Sequence, residues 1–138
     1  MKTDRIAILI KKAALEAEKA QIPVLQSYDL SVSQYKFLKY LFSEPADTVR
    51  IVDLENYYSM THPAVIDILK VLEKKGFTVR KVNPDDARSR IISLTDKAYA
   101  MQDELEALGE KMEEAVTHNL TEAERAVLTA LLIKMSGE

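Results

Sequence analysis

The sequence predicts a mainly α-helical chain carrying one small β-hairpin, and three observations predict it. Glycine occurs three times and proline four times in 138 residues, too few turn formers for an all-β chain. Apolar residues recur at three- and four-residue spacing through most of the sequence, the period of a helix with one buried face. The stretch 77–94 breaks that period, with two alternating runs around Asn83-Pro84-Asp85-Asp86-Ala87, the pattern of two strands joined by a turn. The length suits one domain. Apolar residues at 47% and charged residues at 30% are ordinary for a chain that buries a core.

Each element follows from local chemistry. Residues 4–22 place Ile6, Leu9, Ile10, Ala13, Ala14, Ala17 and Ala20 on one helical face, with Thr3 and Asp4 at the start and Pro23 closing or kinking the far end. Ser31-Val32-Ser33-Gln34 reads as a capping box that opens a second helix, stapled by Leu30 and Tyr35. Its core stripe is Tyr35, Leu38, Leu41 and Phe42, and it ends before Glu44-Pro45 because a residue ahead of proline avoids the helical region. Thr48–Ile51 is β-branched and short, enough for one edge strand. Two helical turns over Val52–Tyr58 come next. Thr61 then caps a longer helix in which Pro63 falls in the first turn, where no intrahelical amide bond is lost. Val65, Ile68, Leu69 and Leu72 form its buried stripe, and Gly76 supplies a left-handed terminator after Lys74 and Lys75.

After the hairpin, Thr95 caps a helix whose residues Ala98, Met101, Leu105, Leu108, Met112 and Ala115 step by three and four alternately. That is a heptad seam, which packs on another helix. A last capping box, Thr121 with Glu124, opens a helix carrying Val127, Leu128, Leu131, Leu132 and Met135 on one face.

A short helix, a tight turn, a longer proline-started helix and a hairpin make the arrangement of a winged helix-turn-helix. There the second helix enters the major groove of DNA and the hairpin reaches along the backbone. The net charge of −3 does not by itself suggest a nucleic-acid partner. It is an average over two unlike halves. Between 70 and 90, seven cations (Lys70, Lys74, Lys75, Arg80, Lys81, Arg88 and Arg90) face three anions, a local charge of +4. Between 95 and 124, nine carboxylates face Lys97 and Lys111, a local charge of −7. A basic hairpin gains affinity for phosphate by releasing counterions, whereas a lone surface cation is ordinarily only solvated. The helix face away from the buried stripe, Thr61, His62, Pro63, Ile66, Asp67 and Lys70, is the candidate base-reading surface. Asp67 can accept from a cytosine amine but repels phosphate.

Residues 52–95 resemble the DNA-binding core of the MarR (multiple antibiotic resistance regulator) family, and the flanking helices resemble its dimerisation arms. The resemblance is carried by Leu69-x-x-Leu72-Glu73-Lys74-Lys75-Gly76-Phe77, then Arg80, then Asp86-x-Arg88 and Leu94-Thr95. It implies that Asp86 orients the wing and that Arg88 reaches the minor groove, where concentrated negative potential favours a guanidinium. It also implies a single domain over 1–138, with a winged helix-turn-helix lobe at 31–95 and dimerisation helices at 1–28 and 105–138. The chain departs from the family's usual pattern at Asp67 and Val71, where basic residues are frequent. It departs also at Ala87, in place of the first wing-tip arginine, and at Glu55, in place of a small residue in the turn.

Other classes are disfavoured. With no cysteine and only His62 and His118 as imidazoles, no metal site or cofactor is expected. No nucleophile paired with a base is legible, so an enzyme is not expected. No run is long and apolar enough for a membrane span and the first residues lack a cleavage pattern, so a cytoplasmic location is the expectation. Tyr28, Tyr35, Tyr57 and Tyr58 could line a pocket for a small aromatic or phenolic ligand of the kind the resemblance implies, the alternative being core and staple packing. The resulting expectation is a bacterial homodimeric repressor that binds a pseudo-palindromic stretch of double-stranded DNA. Its rival is a dimeric protein-interaction module that has lost strong DNA binding.

Overall fold

A computed structural model of the chain describes residues 5–137; Thr3 and Asp4, expected to open the first helix, lie outside them. Helix α1 (Ile6–Leu25) is followed by a single 3₁₀ turn at Gln26–Tyr28 and by α2 (Val32–Ser43). Next come β1 (Val49–Arg50), α3 (Ile51–Tyr58), α4 (His62–Lys74), β2 (Thr78–Asn83) and β3 (Asp86–Leu94). Three helices close the order: α5 (Asp96–Ala100), α6 (Gln102–Thr117) and α7 (Glu122–Ser136). The chain divides into two compact units. One is Leu25–Leu108; the other joins the chain up to Val24 with the chain from Gly109 onward.

The helix ends of the larger unit are set by the side chains that satisfy their amides. Ser31 Oγ accepts from the Gln34 amide at 3.1 Å while Gln34 accepts in return from the Ser31 amide, also at 3.1 Å. Glu44, extended ahead of Pro45, terminates α2. Thr61 Oγ1 accepts from the Ala64 amide, and Pro63 sits in the first turn of α4, a cap of the kind worth about 1 kcal/mol. At the other end Gly76 adopts a φ of 83°, open to glycine at no steric cost. This lets the Phe77 amide bond the Leu72 carbonyl at 2.9 Å and the Gly76 amide bond the Glu73 carbonyl at 3.0 Å. The paired bonds are a Schellman closure, and the accompanying apolar residues Leu72 and Phe77 are both buried.

The three strands are antiparallel in the order β1-β3-β2. Val49 faces Ile92, Thr78 faces Leu94, and Asn83 faces Asp86 beside a bulge between Val82 and Asn83. At the root of the hairpin the Thr95 amide bonds the Phe77 carbonyl at 3.0 Å, and the Lys97 ammonium lies 4.7 Å from the centre of the Phe77 ring. The core beneath takes Phe37, Leu38 and Leu41 from α2, Leu54 from α3, Val65, Leu69 and Leu72 from α4, and Ile91 and Ile92 from β3. Leu105 closes it, its carbonyl accepting from the buried Tyr35 hydroxyl at 2.8 Å.

Five sequence expectations need correction. Helix α1 does not stop at 22 but runs through Pro23 to Leu25. The amide bond that the proline removes is among the last of the helix, and the chain tightens into the 3₁₀ turn directly afterwards. The hairpin turn is shorter than Asn83–Ala87, because β3 already begins at Asp86. The edge strand keeps only Val49–Arg50, since Ile51 already belongs to α3. The helix after Thr95 is interrupted at Met101, whose φ of −100° and ψ of 1° leave the helical region and whose amide reaches the Ala98 carbonyl at 3.1 Å. The seam survives that break: Ala98, Leu105, Leu108 and Met112 are buried, and Met101 and Ala115 partly so. Ile68 of α4, expected in the buried stripe, is half-buried.

In the smaller unit Arg125 donates to Glu114 at 2.9 Å and to the Thr117 carbonyl at 3.2 Å, and Thr121 and Glu124 cap α7 reciprocally. None of the fifteen residues of α7 is buried. Among the described residues no helix is long and apolar enough to cross a membrane.

Candidate nucleic-acid interface

The tight turn that joins α3 to α4 is made by Ser59, in the left-handed region at φ 52°, with the Met60 amide bonding the Glu55 carbonyl at 3.0 Å. It brings the first turn of α4 against the hairpin. Between them lies an open groove of about 610 Å³, lined by His62 and Ile66 of α4, by Arg80, Asp86, Arg88 and Arg90 of the hairpin, and by Arg50 and Glu55. Six of the residues singled out from the sequence thus share one surface. Pro63, Asp67 and Lys70 follow on the exposed face next to His62 and Ile66, and Thr61 is exposed at the cap.

The three hairpin arginines differ in what holds them. Arg88 is 93% exposed at its side chain, and Asp86 Oδ1 accepts both its backbone amide, at 3.0 Å, and its Nε, at 3.4 Å. The carboxylate therefore fixes the base of a guanidinium that projects into solvent. Around it the tip is tied by Asn83 donating to Ser89 Oγ at 3.0 Å and accepting from the Asp85 amide at 2.9 Å. Arg80 is spent instead on Glu73, at 2.6 Å and 3.4 Å. Arg90 folds onto the carbonyls of Ala87 and Ser89, at 3.2 Å and 3.1 Å.

Sequence reasoning missed Arg50. It precedes α3, with its backbone amide 2.8 Å and its guanidinium 3.0 Å from the Asp53 carboxylate. Burial works against the charged carboxylate of Asp53, but the bonds and charge of Arg50 outweigh it and hold that carboxyl below its ordinary value. The available signal was Asp53 three residues after Arg50, the spacing of a reciprocal cap, at the point where strand turns to helix. Glu55, read as a departure in the turn, accepts from His62 Nδ1 at 3.2 Å. His118 lies far along the chain at the end of α6, its Nδ1 3.1 Å from the Ala115 carbonyl.

The four tyrosines proposed for a ligand pocket are not brought together. Tyr28 meets Glu104 at 3.3 Å and Tyr35 meets the Leu105 carbonyl. Tyr57 and Tyr58 instead form a ring cluster with Tyr40 and Phe37, at centroid distances of 4.9 to 6.2 Å. Tyr58 donates to the Lys36 carbonyl at 2.7 Å, and burial, with Tyr57 and Tyr40 beside it, pushes its phenol up to about 12. A phenol that ionises later in the folded chain than in the unfolded one, where the value is near 10, stabilises fully below pH 10. That stability is lost as the pH rises towards 12. Urea unfolding between pH 9 and 11 is therefore expected to show falling stability, with Tyr58→Phe removing up to about 1 kcal/mol of the decline once screening of the partly exposed ring is allowed for. An unchanged pH dependence in the variant would show that the phenol contributes nothing.

Among the described residues no group of three or more histidine or acidic side chains is placed to hold a metal ion. No family model matches the chain. The uncharacterised HTH-type transcriptional regulator YwaE of Bacillus subtilis (strain 168) is 29% identical over 119 residues, spanning 86% of this chain and 68% of that protein. A mutant MarR from E. coli, solved complexed with operator DNA, superposes with a TM-score of 0.84 at 27% identity, over 94% of this chain and 92% of that one. The chain is MarR-like. A third neighbour, S. aureus MepR in a DNA complex, shares the fold at 24% identity and a TM-score of 0.84, over 98% of each chain. The winged helix-turn-helix expected from the sequence is thus the fold of this MarR-like chain, and the B. subtilis relative is an HTH-type transcriptional regulator.

Proposed function

We propose that the MarR-like chain is a homodimeric transcriptional repressor, each protomer laying the start of α4 in a major groove and its hairpin tip along the neighbouring minor groove. The observation that carries this is the groove in which His62, Ile66 and four arginines meet, with Arg88 tethered at its base and free at its tip. Phosphate contacts position such a protein and base contacts specify the site. Arg88, Arg90 and Lys70 suit the first task, and His62, Ile66 and Asp67 the second. Two copies fit a pseudo-palindromic site, because a two-fold protein reads two equivalent half-sites.

The second copy is argued from the smaller unit. Val127, Leu128, Leu131, Leu132, Ile133 and Met135 of α7 are 41–61% exposed, and α1 exposes Ile6, Leu9, Ile10, Leu15 and Ile22. Apolar faces of this extent mark interfaces. Relief of DNA binding by a small aromatic or phenolic ligand belongs to the same reading through the family resemblance.

The test is a titration of the chain against a pool of random-core duplexes at two salt concentrations. Retention is expected to fall steeply with salt, because binding releases counterions, and selection from the pool to converge on an inverted repeat. A chain that retains no duplex even at low salt overturns the reading and favours the protein-docking rival, for which Asp67 and the net charge of −3 are the supporting features.

A further inference from the structure

We infer that Glu55 sets which ring nitrogen of His62 is offered to DNA, and so fixes the base read beneath the first turn of α4. The inference rests on the DNA-binding reading and adds a chemical specificity to it. Glu55 stands on α3 and His62 is the first residue of α4, so the pair bridges the two helices across the turn at 59–61. An ionised carboxylate can only accept, so the hydrogen in the 3.2 Å contact belongs to His62 Nδ1. A neutral imidazole carries one hydrogen. With Nδ1 occupied, Nε2 on the far edge of the ring is left as a bare acceptor.

The exposures agree with that division of labour. The Glu55 side chain is 23% exposed and His62 61% exposed, so the carboxylate sits in and the imidazole stands out, lining the groove beside Ile66. Along the major-groove edges of the bases the only hydrogen-bond donors are the amines of adenine N6 and cytosine N4. Guanine and thymine oppose an acceptor with acceptors of their own. The His62–Glu55 pair therefore selects adenine or cytosine at its position. Without the carboxylate the ring hydrogen is free to move to Nε2, which then favours the acceptors of guanine and thymine.

The experiment selects sites from a random-core duplex pool at pH 8.5, well above the range of model-peptide imidazoles, on wild type, Glu55→Ala and His62→Ala, each sequenced and each checked for an unchanged melting temperature. Wild type is expected to enrich adenine or cytosine over guanine and thymine by roughly tenfold at one pair of symmetry-related positions. Glu55→Ala, which removes the acceptor altogether, should lose that enrichment there while every other position keeps its preference, an outcome that a merely structural role for Glu55 does not produce. His62→Ala, at an exposed position that packing does not depend on, should erase the same preference and guards against a Glu55 variant that fails to fold. Enrichment of guanine or thymine by wild type, or the same preference in the His62 variant, overturns the inference and leaves the DNA-binding reading intact. A wild type that retains no duplex overturns both.

Discussion

Leu131→Glu is expected to leave the chain monomeric at micromolar concentration, where wild type is expected to sediment at twice its 15.6 kDa mass. Helix α7 is fifteen residues long and buries none of them, and a helix of that length is marginal in water unless tertiary packing covers its apolar side. Leu131 lies at the middle of the face, 53% exposed, with Leu128 one turn before it and Met135 one turn after. In a two-fold interface every substitution acts twice. Two carboxylates would then stand where the proposed dimer covers two leucines, and each unpaired charge buried there costs several kcal/mol. Loss of well over 100-fold in dimer affinity is the expected size. Far-UV circular dichroism should keep the signal of the Leu25–Leu108 unit, and DNA retention should fall with dimerisation, since in the proposed complex one protomer holds one half-site. A variant that still sediments as a dimer would place the second copy elsewhere.

The parts of the fold that were legible in the sequence were those whose chemistry is local. Ser31 with Gln34, Thr61 ahead of Pro63, and Thr121 with Glu124 each state a helix start within four residues, and all three caps are formed. Gly76 states a stop, and the alternation on either side of Pro84 states a hairpin. What was not legible depended on neighbours far along the chain or on small backbone adjustments. Nothing about methionine announces the break at Met101, since it is a good helix former and the seam keeps its spacing across it. Pro23 announced an end that came only two residues later, because a proline in a last turn removes little.

The candidate site divides in the same way. His62, Arg88 and Asp86 were readable from their places in a patterned stretch. The partners that give them direction were not: Glu55 lies seven residues from His62 and Glu73 seven from Arg80, across turns whose geometry no local pattern dictates. Arg50 was hidden by a two-residue strand. The tyrosines misled in the opposite sense, because clustering in sequence between 28 and 58 does not imply a common cavity once two of them bond with α6 or its neighbourhood and two with α2.

Arg88→Ala is expected to weaken DNA binding across all sequences while changing sequence preference little. Its side chain is 93% exposed, so its removal opens no cavity and the melting temperature should hold to within about 0.5 kcal/mol of stability. What is lost is a guanidinium aimed outward from the hairpin tip with its backbone amide and Nε already engaged by Asp86. That tether reduces the freedom the side chain would surrender on binding, and a charge inserted near two phosphate rows interacts most where the groove is narrow. Each neutralised phosphate contributes about 0.9 to the slope of log affinity against log salt, so two wings per dimer should lower the slope by about 2. Arg80→Ala supplies the contrast. Its guanidinium is committed to Glu73 at 2.6 Å, so its loss should change the slope by less, and Asp86→Ala should reproduce part of the Arg88 effect by releasing the tether. The three variants are to be titrated against one selected duplex and its scrambled counterpart between 50 and 200 mM salt, the span over which such contacts weigh most. Arg88→Ala with an unaltered slope, or Arg80→Ala with the larger change, would move the phosphate contact from the tip of the hairpin to its root.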